Sequence, residues 1–318
     1  MTPITLLFFS SADISLPLFE KLLRDDRFKV VGLFCQPDKP AGRNLLLKKP
    51  HIKEIAEKHH IPVYQPENLG RATDLLEKQR ENSPDFLVTF AYGKILNENW
   101  LSLPKKHALN VHTSLLPKYR GSSPIQNAIL NGDSETGISL MQMEKTYDTG
   151  PVYATHRIKL EKNWTASFLH EELAELAAQK IPEDLVKLMS DSAPQFQIQD
   201  SKNATMTEKM KKDDGYLDFQ ESAELIHRKF LAYTPWPGLW TFCNGKRLKF
   251  IDLKVCALAL APGEVQCKDK KLFIGTLEGA IEVLQLQMEG KKTAHADQFV
   301  LGQPTFCSQQ LPSKEKES

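Results

Sequence analysis

Asn110, His112 and Asp148 are the residues whose types and spacing invite chemistry. The first two lie in ALNVHTSLL, an apolar run that ends in a proline-stiffened turn, so the pattern sets them at the carboxyl end of a strand. Two positions apart on a strand, their side chains share one face. An imidazole beside a carboxamide suits acyl transfer: one manages a proton while the other donates to an oxygen that gains negative charge. Taken alone, an Asn and a His at a strand end are more often a hydrogen-bonded turn than a catalytic pair. Asp148 sits on the Thr-Gly turn of MEKTYDTGPVY, just after the apolar run TGISLMQM, and is expected to fold back towards His112 from a neighbouring strand end. An isolated Asp-x-Gly is ordinary turn chemistry, so the three matter only as a group.

The elements that must position them alternate in type. ITLLFFS, FKVVGLFCQ, DFLVTFAYG, ALNVHTSLL and TGISLMQM read as strands, interleaved with the helix-like PLFEKLLRDD and KKPHIKEIAEKH. That rhythm predicts an α/β domain: a Rossmann-like, doubly wound, mainly parallel sheet with crossover helices, whose ligands sit at the carboxyl ends of the strands. TASFLHEELAELAAQKIPEDLVKLM predicts a long closing helix with a break near Pro182. The pattern gives a first domain over residues 1–190, a polar linker over 191–207, a second domain over 208–310 and a charged, frayed tail over 311–318. In the second domain, the helix-like AELIHRKFLAY precedes short strands, LWTFC, RLKFIDLKVCAL, GEVQC, KLFIGT and GAIEVLQLQM, separated by Gly and Asn turns. Five or so such strands predict a small OB-like β-barrel.

Composition excludes little but bounds the rest. At 318 residues with a net charge of +1 and 25% charged residues, the chain is long enough for two cores, and any nucleic-acid contact must come from local basic patches. No run approaches the roughly 18 apolar residues of a membrane helix, and MTPITLLFFS reads as a first strand rather than a leader. The cysteines, Cys35, Cys243, Cys256, Cys267 and Cys307, are scattered, odd in number and without Cys-x-x-Cys spacing, which predicts a reducing cytoplasm and no structural zinc.

NVHTSLLPKYRGSSPIQ, followed by MQMEKTYDTG and preceded by AYGKIL and QPDKPAGR, closely resembles the 10-formyltetrahydrofolate-dependent formyltransferases. IPVYQP, EKMKKDDGYLDF, AYTPWPGLW and GKKTAHADQF extend the resemblance over nearly the whole chain, on the side of those members that act on methionyl-tRNA. The resemblance implies a monomeric cytoplasmic enzyme using 10-formyltetrahydrofolate as formyl donor, initiator methionyl-tRNA as acceptor, and no metal. It implies Asn110, His112 and Asp148 as the catalytic trio. Ser114, Leu115, Leu116 and Pro117 match the folate-binding segment, with Tyr92 and Gly93 beside the pterin pocket.

For the tRNA, AGRNLLLKKPHIK carries Arg43, Lys48, Lys49 and Lys53 with no acid among them, and Arg43 matches the family's arginine in this loop. Lys209, Lys211 and Lys212, then Lys246, Arg247 and Lys249, extend a basic track. The first turn reads Ser10-Ser11-Ala12 where the family has Gly-Thr-Pro, and Leu45, Leu46 and Leu47 stand where basic residues are common. A formyltransferase of a sugar amine or of glycinamide ribonucleotide, a hydrolase of the same folate, and a noncatalytic tRNA- or folate-binding relative are the alternative readings.

Overall fold

The computed structural model describes residues 2–41, 46–190 and 195–313. By internal contacts the chain divides into two units: Met1–Pro124, Glu135–Lys159 and His170–Thr207 form the first, and Ile125–Ser134, Leu160–Leu169 and Glu208–Ser318 the second. In chain order the first half runs β1 (Ile4–Phe9), α1 (Leu16–Arg24), β2 (Phe28–Phe34), β3 (Lys39–Ala41), β4 (Leu46–Lys48), α2 (His51–Lys58), β5 (Val63–Tyr64), α3 (Thr73–Asn82), β6 (Phe86–Thr89), α4 (Glu98–Leu101) and β7 (His107–His112). There follow β8 (Arg120–Gly121), α5 (Pro124–Leu130), β9 (Glu135–Gln142), β10 (Val152–Lys159), α6 (Ala166–Leu188) and β11 (Met206–Thr207).

The main sheet has the strand order β10-β9-β7-β6-β1-β2-β5. From β7 to β5 every pairing is parallel, whereas β9 runs antiparallel to β7 and β10 antiparallel to β9. The central strands are continuous apolar runs because both faces are covered: Leu6 to Phe9 and Phe86 to Val88 are fully buried. β10, at the edge, instead alternates exposed and half-buried residues. Beneath the strand ends Phe9 stacks on Phe34 at 4.4 Å, and Trp100 meets both edge-on while its indole N–H donates to the Leu69 carbonyl at 3.1 Å.

Several expectations change here. α6 passes through Pro182 without a break; its buried stripe, including Leu169, Leu173, Ile181 and Leu185, outweighs the roughly 3 kcal/mol that an interior proline costs. The antiparallel β9 ends beside the middle of β7, where Gln142 pairs Leu109, so Asp148 lies on the loop between β9 and β10 and not at a parallel neighbour's carboxyl end. Residues 195–207 of the expected linker are woven into the first unit: Val152 and Gln197 exchange both backbone hydrogen bonds at 2.8 Å, and β11 pairs parallel with β8.

The second unit contains α7 (Ala223–Tyr233), β12 (Leu239–Cys243), β13 (Lys246–Cys256), β14 (Val265–Lys268), β15 (Lys271–Gly275), β16 (Ala280–Met288), β17 (Ala294–His295) and α8 (Ala296–Gly302). Its strands form an antiparallel sheet in the order β12-β13-β16-β15-β14, with β17 added to β16. Asn244-Gly245, both at positive φ (50° and 74°), makes the tight turn between β12 and β13. On β13 the buried set Leu248, Phe250 and Leu253 loses its period of two where the register shifts at Asp252, as a bulge requires.

Two features of this unit lie outside what the sequence pattern shows. Cys267 and Cys307 are joined by a disulfide with a Cα–Cα distance of 5.3 Å; β14 lies alongside residues 304–308, with the Val265 N–H donating to the Gln309 carbonyl, and brings together cysteines that are 40 residues apart. Cys35, Cys243 and Cys256 are free thiols. The start of the tail is anchored, since Leu311 is buried and donates its N–H to the Gly263 carbonyl, and the Ser313 hydroxyl accepts the Phe219 N–H. Among the described residues no helix is long and apolar enough to cross a membrane, and no group of three His, Cys, Asp or Glu is placed to hold a metal ion.

Candidate active site

β7 delivers Asn110 and His112 to one face, as its period dictates. Asn110 is oriented from below by a residue that the sequence reading missed. The Thr89 hydroxyl, at the carboxyl end of β6, donates to Asn110 Oδ1 at 2.7 Å. With its oxygen so occupied, the carboxamide turns its Nδ2 towards the loop after β9, 3.4 Å from Asp148 Oδ1, and keeps a second N–H for another acceptor. The signal for Thr89 was a hydroxyl at the end of an otherwise apolar strand, FLVT.

His112 is buried, and its Nε2 lies 2.9 Å from the Tyr119 carbonyl. A carbonyl only accepts, so Nε2 carries a proton and Nδ1 is the nitrogen left to take or give one. Nδ1 stands 3.6 Å from Asp148 Oδ2, a charge contact too long for a hydrogen bond. The tautomer is therefore set by the Tyr119 carbonyl, and Asp148 supplies charge. Asp148 itself adopts φ 53° and is held by the Gly121 N–H, which donates to Oδ2 at 2.8 Å.

The turn after β7 is closed by its own groups. The Ser114 hydroxyl donates to the Lys118 carbonyl at 2.6 Å, and the Ser139 hydroxyl donates to the Ser114 carbonyl at 2.7 Å and accepts the Leu116 N–H at 3.1 Å. Ser114 is fully buried and Leu116 buried, while Leu115 and Pro117 are half-buried. The segment thus offers a ligand apolar side chains and backbone more than a free hydroxyl. Tyr92 is also buried, its ring edge-on to Phe9 at 5.3 Å, and its carbonyl accepts from Gln36 Nε2 at 2.9 Å. Gly93 is exposed at φ 74°, where a Cβ would press on that same Gln36 amide.

Ser10-Ser11-Ala12 replaces glycine's freedom with hydroxyl bonds. Ser10 and Ser15 share a hydroxyl contact at 2.6 Å, Ser11 accepts the Gln36 N–H at 2.8 Å, and none of the three needs a positive φ. Nearby, a cleft of about 260 Å³ is lined by Asp13, Lys39, Lys48, Lys49 and His51 among others, with His51 Nδ1 at 3.1 Å from Asp13. Within the expected basic patch, Lys48 is exposed, and Lys49 pairs with Glu57 at 3.2 Å. Lys53 is withdrawn from the patch, because Asp38 and Gln65, both outside the segment, hold it at 2.8 and 2.7 Å. Hydrogen bonds from Gln65 first, then from Lys53, hold the Asp38 carboxyl below the usual range. Arg43 and Leu45 lie outside the described residues. In the second unit Lys209, Lys246 and Lys249 are exposed, and the Arg247 guanidinium lies 4.3 Å from the Trp240 ring centroid.

The formyl transferase family model matches residues 6–185, and that of its C-terminal domain matches residues 209–304. The chain belongs to the formyl transferase family. A methionyl-tRNA formyltransferase of Magnetococcus marinus is 37% identical to it, over 95% of this chain and 96% of the relative. One from Geobacter metallireducens is 34% identical over the same shares. Among solved structures, an N-formyltransferase from Helicobacter canadensis, in complex with folinic acid and dTDP-3-aminofucose, superposes with a TM-score of 0.66. It covers 90% of this chain and 99% of its own at 18% identity, which shows a shared fold. The matched N-terminal model contains Asn110, His112 and Asp148, while Gln199 and Thr207 fall between the two models.

Proposed function

We propose that this family member transfers the formyl group of 10-formyltetrahydrofolate to the α-amino group of methionine esterified to initiator tRNA. The observation that carries the reading is the convergence of an oriented carboxamide, an imidazole with one committed nitrogen, and a carboxylate at the end of β7. The relatives that match along both domains supply the acceptor. Sugar-amine transfer is the second reading, because an N-formyltransferase crystallised with an amino sugar shares the fold.

The folate supplies an activated formyl group, and the protein's residues do the rest. An α-amine titrates near about 7.7 to 8.0, and an ester beside it lowers that further, so much of the acceptor is already nucleophilic at neutral pH. His112 Nδ1 takes the proton that the amine nitrogen sheds on attack, the resulting imidazolium faces the Asp148 carboxylate, and His112 returns that proton to the folate nitrogen as its bond to the formyl carbon breaks. Asn110 Nδ2 donates to the formyl oxygen as it gains charge; a preorganised donor of this kind is worth roughly 10²–10³ in rate. Leu115, Leu116 and Pro117 offer an apolar surface to the pterin, with Ser114 closing the turn beneath and Tyr92 and Gly93 bordering it. Lys48, Lys49 and Lys209, with Arg43 by its match to the family's arginine, are the residues we assign to tRNA phosphates. On this reading the protein works as a cytoplasmic monomer without metal.

The test is incubation with 10-formyltetrahydrofolate and charged initiator tRNA, elongator methionyl-tRNA or amino sugars. Formylation of initiator methionyl-tRNA is expected; formylation of the sugar alone overturns the reading.

A further inference from the structure

Gln199 belongs to the polar stretch that reads in sequence as a linker, yet it is buried and both bonds that its amide donates go to the loop that carries Asp148. Its Nε2 donates to the Asp148 carbonyl at 2.8 Å and to the Gly150 carbonyl at 2.7 Å. Its Oε1 accepts from Arg120 Nε at 3.0 Å, and Arg120 is buried too. One carboxamide thereby ties the backbone on both sides of Thr149 to the strand β8, whose next residue, Gly121, holds the Asp148 carboxylate.

Gln199 is itself pinned on either side. Upstream, Gln197 exchanges two backbone bonds with Val152. Downstream, the Asp200 carboxylate accepts from the Lys202 N–H and the Asn203 side chain, the Thr205 carbonyl accepts the Arg120 N–H, and the Thr207 hydroxyl donates to the Arg120 carbonyl. The loop it grips needs such support, because Asp148 stands in the left-handed region, which a non-glycine residue leaves unless it is held there.

We propose that Gln199, seated by Arg120, is a positioning residue for the formyl transfer. It sets the distance of the Asp148 carboxylate from His112 without touching either substrate. The proposal rests on the function proposed above, and its consequence is that the segment between the two matched domains is part of the catalytic apparatus.

Two substitutions separate the bonds. Gln199→Met keeps the volume and loses all three; Gln199→Glu keeps an acceptor for Arg120 and loses both donated bonds, leaving a carboxylate facing two carbonyls. Both are expected to lower kcat by about 10- to 100-fold, with KM for folate and tRNA changed by less than about threefold, since the loss is of alignment. In an Asp148→Ala background, Gln199→Met is expected to lower kcat by no more than about twofold further, because the group it positions is gone.

Hydrogen exchange of the Gly121 amide, which reads the Asp148 contact directly, is expected to speed up at least about tenfold in both variants. A Gln199→Glu enzyme with wild-type kcat overturns the proposal. So does a full additional loss in the Asp148→Ala background, or unchanged Gly121 exchange. Should Gln199→Met not fold, Gln199→Glu decides by the same readouts. Should the wild type formylate no methionyl-tRNA, the proposed reaction fails, and Gly121 exchange still decides whether Gln199 holds the loop.

Discussion

Gly121→Ala removes no side-chain contact and is expected to be among the most damaging substitutions at the site. Gly121 has φ 104°, outside the range that residues with a Cβ adopt without strain, and its N–H holds Asp148 at 2.8 Å. An added Cβ would overlap the Thr207 carbonyl oxygen on the paired strand β11, with Thr207 Oγ1 at 3.1 Å and its carbonyl carbon at 3.3 Å. To reach ordinary contact at 3.4–4 Å, β8 and β11 must part by about 1 Å. Backbone strain alone costs about 1–3 kcal/mol, to be read from urea denaturation. A 1 Å displacement of a group that aligns the reaction costs on the order of 100-fold in rate, or about 2.7 kcal/mol of transition-state stabilisation. Steady-state formylation with saturating tRNA therefore should show kcat reduced by about two orders of magnitude, with the KM for folate nearly unchanged. A variant with kcat within about threefold of wild type would refute the idea that Gly121 and Thr207 hold Asp148 in register.

Thr89→Val, nearly isosteric, strips the hydroxyl that orients Asn110; kcat is expected to fall by about tenfold, and unchanged turnover would remove Thr89 from the site. His107, His170 and His227 are held below the ordinary histidine value chiefly by burial, so the unfolded chain binds more protons than the folded one at mildly acid pH. Stability present above about pH 6.5 is lost as pH falls below it, so the melting temperature should drop between about pH 7.5 and 5.5, and less in a variant with glutamine at these positions; a flat profile contradicts the assignment. Burial pushes the Cys35 thiol up to about 11, so iodoacetamide at about pH 8 should leave it unmodified in the native protein and label it in urea, as peptide mass spectrometry will read.

The elements closest to the chemistry were legible because their signals are local. ITLLFF, FLVT and HALNVH are apolar runs bounded by turn residues, and the NVH spacing puts Asn110 and His112 on one face whatever the rest of the chain does. AELIHRKFLAY ends as a helix over Ala223–Tyr233, capped by the Ser222 hydroxyl, and Asn244-Gly245 announces its hairpin by residue type alone. What escaped was partnership at a distance. Lys53 looked available because Asp38 and Gln65 lie outside its segment, and the Cys267–Cys307 pairing spans 40 residues with no spacing motif.

The sequence by itself determined the succession of strands and helices, the shared face of Asn110 and His112, and a likeness strong enough to name the family. Only the tertiary structure decided which nitrogen of His112 keeps its proton, because that depends on where the Tyr119 carbonyl lands. It also turned β9 antiparallel, set Asp148 on a left-handed loop, and bound that loop to β8 through Gln199. Composition marks SDSAPQFQIQDSKNAT as polar, and polar stretches pass for linkers. Whether a glutamine there faces water or fills a buried junction of carbonyls is settled by what packs over it, some 50 to 80 residues away in the chain.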